Sequence, residues 1–403
     1  MKATNLSRAL IFLLGASVFL NYVDRGAIAV AAPLMKGELG LTATEFGTAV
    51  SAFFWIYAPV QLVVGWLCDR FSVYRLISLG VIVWAASTLL MGFAGGFLSL
   101  LVLRVMLGIG ESIIFPGSSK VIARHVPPEQ RGMANAWVAA GLSLGPAVGT
   151  LAGGLILANF GWRAIFIAFG LLTLLWLLPW RRTVDALPTI AGERGSTTVP
   201  MGTLLRKWSV WAMSIGHAAS NFGFYFLLAF TPLYLVQQRG LSIEQMTLLA
   251  TLGYATQGAA AFALGAWSDR WSRSGRSEAA IRRSLLIAGQ LGTAVSILGI
   301  VFADSIWVVA LLLCAAGVSV ACLAANIYTV AQMFAGPRAA GTWVGIQNAF
   351  GNVSGIVGPV LSGILIDRHG YDSAFYLAAG VAAFGAIWWL VAVPLIAEVI
   401  PKD

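Results

Sequence analysis

Charge is scarce in this 403-residue chain: Asp, Glu, Lys and Arg together make up 10% of it, against 59% hydrophobic residues. Soluble domains carry about 25% charged and about 45–50% apolar residues, so a water-exposed globular enzyme and a disordered chain are both excluded. Histidine and cysteine are rarer still, at 3 copies each. Cys68, Cys314 and Cys322 lie in or beside apolar stretches, with neither an even-numbered disulfide framework nor metal-ligand spacing, and are read as buried thiols. No phosphate-binding loop, nucleophile triad or metal cluster is visible, so the chain is not read as an enzyme and no cofactor is expected. A sizeable soluble domain is also missing, which argues against a signalling receptor or scaffold. What the chain does have is apolar length, 45 Gly, 15 Trp, 22 Phe and a formal net charge of +9.

A bilayer-crossing helix needs about 20 predominantly apolar residues. Twelve stretches qualify, at 9–31, 46–67, 76–94, 97–121, 133–158, 162–180, 208–236, 245–267, 283–303, 306–332, 341–366 and 371–396. The first runs past 20 residues, holds an Asp-Arg pair and shows no cleavage site, so it is expected to stay in the mature protein. Of the 25 lysines and arginines, nineteen fall in one alternating set of connecting segments; only Lys36, Arg163, Arg239 and Arg368 fall in the other. Such a bias puts both termini in the cytoplasm, and it makes the net charge a signature of topology, not of a nucleic-acid partner. The longest polar stretch, 181–207, contains Pro188, Gly192, Gly195 and Pro200 and is read as a cytoplasmic linker. It separates an N-terminal six-helix bundle, 1–180, from a C-terminal one, 208–403.

The two halves echo each other. Gly65-Trp66-Leu67-Cys68-Asp69-Arg70 ends the second span, and Gly265-Ala266-Trp267-Ser268-Asp269-Arg270 ends the eighth. Pro128…Gly132 pairs with Pro337…Gly341, Gly145-Pro146 with Gly358-Pro359, and Gly161-Trp162…Phe166 with Gly370-Tyr371…Phe375. Repeats of this kind build many membrane transporters, with substrate near the midplane. With these loops, the central linker and twelve spans, the whole chain resembles the major facilitator superfamily. Asn21-Tyr22-Val23-Asp24-Arg25 in span one and Arg104…Gly108…Glu111…Pro116 in span four are similar to the anion:cation symporter family. That family includes bacterial galactonate and hexuronate transporters, sialin and the vesicular glutamate transporters.

Four ionisable groups lie well inside spans: Asp24, Arg25, Arg104 and Glu111. A charge at the bilayer centre costs about 2.5–3.5 kcal/mol on insertion scales, so these are functional candidates. Arg104 and Glu111 are close to two helical turns apart, about 10 Å along one face. Spans one and four are expected to bring all four groups into one cavity. The alternative, ion pairs that only stiffen a bundle, is disfavoured because apolar packing does so without the desolvation cost. Guanidinium groups present a fork of donors that fits a carboxylate, and carboxyls held away from water can exchange protons. The resemblance implies the same division: Arg25 and Arg104 contact the substrate anion, Asp24 and Glu111 carry protons. Two positive and two negative groups sum to zero, so a bound monoanion needs one proton to restore neutrality. Proton–anion symport by alternating access follows, driven by the proton gradient and needing no cofactor.

Other polar residues in spans are weaker signals. The resemblance implies that Tyr57 and Tyr22 approach the substrate and that Asp69, Arg70, Asp269 and Arg270 form cytoplasmic gating contacts. Gln347, Asn348 and Asn352 in span eleven are candidate ligands for the hydroxyls of a polyol acid, or else interhelical glue worth about 0.6 kcal/mol each. His217, Asn221 and Tyr225 share helical spacing in span seven, with His217 read as a packed histidine. Two departures bear on the substrate. Ser220 stands where vesicular glutamate transporters carry an extra arginine, which favours a monocarboxylate. Leu142 stands where sugar-acid members tend to have an amide, which weakens galactonate specifically. Gly141-xxx-Gly145-Pro146-xx-Gly149 looks like the antiporter motif of drug exporters, so a drug or aromatic-acid antiporter of the same superfamily is the competing reading. The expectation is an all-α, monomeric carrier in a bacterial inner membrane, whose partners are lipid, protons and a small organic anion such as a sugar acid.

Overall fold

The computed structural model describes residues 3–126, 128–187, 199–273 and 277–399. The fold is all-α. Its first helices are α1 (Ala3–Glu38), α2 (Ala43–Arg70), α3 (Val73–Met91), α4 (Phe97–Glu111), α5 (Ile114–His125), α6 (Pro128–Phe160) and α7 (Trp162–Asp185). They are followed by α8 (Met201–Leu205), α9 (Trp208–Leu233), α10 (Ile243–Arg273), α11 (Glu278–Phe302), α12 (Ile306–Gly351), α13 (Val353–His369) and α14 (Tyr371–Val391). Among the described residues, ten helical segments are long and apolar enough to cross a membrane. The remaining two of the twelve expected spans coincide with α2 and α10, helices of 28 and 31 residues.

Several boundaries differ from the sequence reading, each for a local reason. Span four is broken into α4 and α5 at Ser112–Ile113, because Pro116 has no N–H to offer the Ser112 carbonyl. Glu111 therefore ends a helix instead of lying within one. Spans ten and eleven run together as α12, turned at Gly336, whose φ of +63° is left-handed. Span eleven breaks at Asn352, where both the main-chain N–H and the side-chain amide bond the Asn348 carbonyl. Span twelve stops at Val391, three residues before Pro394. The segment expected to be a linker is helical up to Asp185 and again over α8.

The chain divides into two compact units, Met1–Gly192 with Leu228–Thr251, and Glu193–Leu227 with Leu252–Asp403. In the first unit, glycines set how closely helices approach, since lipid offers helices no hydrophobic drive to associate and packing must hold them. Gly141, Gly145 and Gly149 of α6 face α1: an added Cβ would meet Phe19 N at 2.8 Å, Tyr22 Cβ at 2.6 Å and Val23 Cα at 2.7 Å. The motif that suggested a drug antiporter is thus the seat of the helix carrying Asp24 and Arg25. Gly110 of α4 lies against α3 at Trp84 N, 2.5 Å, and Gly80 O, 2.7 Å, measured from where a Cβ would stand. Glu38 ties the end of α1 to the start of α7, accepting from Trp162 Nε1 at 2.5 Å and from Arg163.

One of the sequence echoes has a clear backbone counterpart. Gly161 and Gly370 are both left-handed, at φ +78° and +80°, and turn the chain into α7 and α14. A further pair, unnoticed in the sequence, sits 200 residues apart: Gly40-Leu41-Thr42 and Gly240-Leu241-Ser242, with φ +64° and +65° at the glycines. Each is followed by reciprocal capping, Thr42 with Glu45 and Ser242 with Gln245. In the second unit, Phe334 stacks on Trp343 at 5.8 Å within a core that includes Val210, Trp389 and Leu204 of the short α8.

Candidate functional site

The Gly108 position brings α4 against α2 so closely that a Cβ there would run into the Phe53 carbonyl. With α1 seated on the α6 glycines, that crossing gathers Arg25, Phe53, Tyr57, Arg104 and Glu111. Arg25 Nε donates to Glu111 Oε2 at 3.1 Å, an ion pair whose members are 8% and 0% exposed. The Arg25 guanidinium also lies over three aromatic rings, Tyr22 at 4.9 Å, Phe53 at 4.9 Å and Tyr57 at 4.8 Å. A desolvated cation over such faces gains about 2 kcal/mol or more. Those rings support a positive charge where water cannot.

Arg104 takes a different set of partners. Its Nε and Nη2 donate to the carbonyls of Ala49 and Val50, both at 3.2 Å, and its Cζ lies 5.1 Å from the Phe53 ring. Phe53 therefore stands between two guanidinium groups, stacked on Tyr57 at 4.8 Å. Asp24 turns the other way from its neighbour Arg25. Its Oδ2 accepts from Trp84 Nε1 at 2.5 Å and from Thr88 Oγ1 at 3.1 Å, both on α3. Asp24 Oδ1 and Glu111 Oε1 are buried and have no hydrogen-bond partner among the described residues.

In the second unit, α9, α12 and the start of α13 form a separate polar network. Tyr225 donates to Asn352 Oδ1 at 2.6 Å, and Tyr328 to Asn348 Oδ1 at 3.0 Å. Asn221 Nδ2 donates to the Gly351 carbonyl at 3.2 Å. Gln347 Nε2 lies 3.5 Å from His217 Nδ1, and the His217 ring meets Tyr328 edge-on at 5.5 Å. Gly351 leaves room for that imidazole: a Cβ would meet its Nδ1 at 2.7 Å. Asn348, Asn352 and Gln347 thus belong to one network through tyrosines and a histidine.

Of the candidates in the first unit, Arg25 touches Tyr22, Tyr57 and Glu111 directly, Arg104 joins them through Phe53, and Asp24 on α1 is turned away to Trp84 and Thr88 of α3. The side chains of Asp69, Arg70, Asp269 and Arg270 lie outside the described residues, and so do residue 127 and the segment 188–198. Sequence reasoning passed over Phe53, Trp84, Thr88 and the two carbonyls that engage Arg104. Thr88, four residues after Trp84 in an apolar helix, was the one visible hint. Phe53 resembled any lipid-facing aromatic.

The sequence profile of the Major Facilitator Superfamily matches residues 14–277 and 240–401. The chain is 31% identical to a probable sulfoacetate transporter, SauU, of Cupriavidus necator, over 96% of this chain and 93% of that protein. It is 28% identical to a hexuronate transporter of Bacillus subtilis, over 94% and 92%. With a probable chloroplastic anion transporter of rice it shares 29% identity over 93% of this chain, spanning 66% of that longer protein. A crystal structure of a bacterial homolog to the human lysosomal transporter Spinster, inward-facing and occupied, superposes with a TM-score of 0.82 at 19% identity, covering 95% of this chain and 96% of that one. Helical architecture, half-to-half echoes and a profile running nearly end to end agree: the chain belongs to the Major Facilitator Superfamily and is a multi-pass membrane transporter, not an enzyme.

Proposed function

We propose that the protein is a proton-coupled symporter that imports an organic monocarboxylate, a sugar acid such as galactonate or a hexuronate. The observation that carries this reading is the Arg25–Glu111 pair inside its aromatic cage, 3.1 Å between Nε and Oε2. Breaking a buried ion pair by removing one partner costs about 3–5 kcal/mol, because the other charge is left alone. A proton on Glu111 would remove the negative charge facing Arg25 Nε, and an arriving carboxylate would restore one. Proton and anion are then bound together more favourably than either separately, which is the thermodynamic requirement of symport. Arg104, its fork turned to main-chain carbonyls, is the second anion ligand in this scheme. A second proton, on Asp24, would give the loaded carrier a net positive charge, worth about 2.3 kcal/mol per 100 mV of inward-negative potential.

The names of the relatives support an anionic substrate, and two buried arginines oppose a cationic drug. The paired amides Asn348 and Asn352, with Gln347, are proposed to bind substrate hydroxyls. By the same reading, bundles 1–180 and 208–403 are joined by the linker 181–207, Asp69-Arg70 and Asp269-Arg270 gate the cytoplasmic side, and a monomer works in a bacterial inner membrane. Thermal unfolding of the purified protein with D-galactonate, D-glucuronate, sulfoacetate and benzoate tests the substrate class. A sugar acid at about 100 times its Kd should stabilise by about 2.7 kcal/mol, a shift of a few degrees. The shift should vanish in Arg25→Ala. Stabilisation by benzoate alone would favour aromatic-acid exchange, and a sugar-acid shift that survives Arg25→Ala would remove that arginine from the site.

A further inference from the structure

Asp24 and Glu111 are both buried carboxyls, yet they are held in unlike ways. Glu111 faces a cation. Among the described residues, Asp24 accepts hydrogen bonds from two neutral donors, and both converge on one of its oxygens: Trp84 Nε1–H at 2.5 Å and Thr88 Oγ1–H at 3.1 Å, each to Oδ2. The donors are four residues apart on α3, hence stacked on one face of that helix. A Cβ on Gly110, next to Glu111, would stand 2.5 Å from the Trp84 main-chain nitrogen, so the donor pair is set in register with the Glu111 helix.

We infer that Trp84 and Thr88 are positioning residues for proton binding at Asp24, fixing Oδ2 and leaving Oδ1 as the oxygen that receives the proton. The inference rests on the reading of Asp24 as a proton carrier. Oδ1 is buried without a hydrogen-bond partner among the described residues, which costs a neutral O–H less than an anionic oxygen. Two donors on Oδ2 stabilise the ionised form without supplying a charge, which favours release of the proton. The charged groups nearest Asp24 are Arg25, beside it on α1, and the ion-pair partner of Arg25, Glu111 on α4; Tyr22 lies two residues before Asp24. Among the described residues, α3 offers Asp24 the indole of Trp84 and the hydroxyl of Thr88.

Infrared difference spectra of the protein reconstituted in lipid, recorded as pH is stepped, follow the C=O stretch of a protonated carboxyl without any substrate. The Asp24 band is the one lost in Asp24→Asn. Removing a donor to the ionised form favours the protonated form, so Trp84→Phe and Thr88→Val should each move the midpoint of that band to higher pH. About one pH unit, a tenfold change in proton affinity, is expected for either variant. Trp84→Phe keeps a ring at the α3–α4 contact, and Thr88→Val keeps shape, so one variant serves if the other folds poorly. A midpoint that stays in place, or moves to lower pH, overturns the role of the donors while leaving Asp24 a proton carrier. If Asp24→Asn removes no titrating band, the proton role of Asp24 itself is overturned.

Discussion

Gradient-driven accumulation in Glu111→Gln proteoliposomes should fall about tenfold for each pH unit of imposed gradient, while exchange of substrate across the same membrane stays within about twofold of wild type. A proton moving down one pH unit supplies about 1.4 kcal/mol, which sustains about a tenfold concentration ratio. Glutamine keeps an oxygen for Arg25 Nε to reach at the 3.1 Å site but can neither gain nor release the proton. It therefore imitates the protonated carboxyl, with Arg25 ready for an anion. Exchange, which needs no net proton release, acts as the internal control on folding. Accumulation and exchange lost in equal measure would mean that Glu111 holds the bundle together and carries no proton.

Gly108→Val is expected to lower the unfolding temperature and to eliminate sugar-acid stabilisation. At this crossing of α4 and α2 a Cβ would run into the Phe53 carbonyl, which is main chain and cannot swing aside. Overpacking of this kind costs about 1–3 kcal/mol, and here it would also pry Phe53 and Tyr57 from the Arg25 guanidinium. Gly153→Ala is the matched control. Its Cβ would meet side-chain carbons at 3.6–3.8 Å, ordinary contact, and its effect should stay within about 0.5 kcal/mol. Equal behaviour of the two variants in thermal unfolding and ligand binding would show that the α2–α4 approach does not build the site.

Much of the fold was legible because the bilayer imposes a coarse rule: a helix that crosses it must be apolar for about 20 residues. The break after Glu111 was not legible in that way, although Pro116 sat in plain view, because hydropathy does not register a missing N–H. The Gly40 and Gly240 turns escaped notice because their shared feature is a backbone angle and a cap, with Thr42 and Ser242 not identical in letter. The glycines of α6 look like an exporter motif in sequence, whereas against α1 they are the flat surface that lets Val23 Cα come within 2.7 Å of where a Cβ on Gly149 would stand.

At the candidate site the division is sharper. Asp24, Arg25, Arg104 and Glu111 stood out from sequence because a charge in hydrocarbon costs enough to demand a reason. Their pairing did not. Arg25 meets Glu111, 86 residues away, and Asp24 meets Trp84 and Thr88, 60 and 64 residues away. Adjacent residues on a helix point about 100° apart, so Asp24 and Arg25 had to face different neighbours, and no local pattern says which. Sequence alone determined that this chain crosses the membrane many times, in two related halves, with charges that need partners. Tertiary structure alone decided which partner each charge has, since that depends on helix crossings fixed by glycines far apart in the chain, where close packing, and not hydropathy, sets the distance.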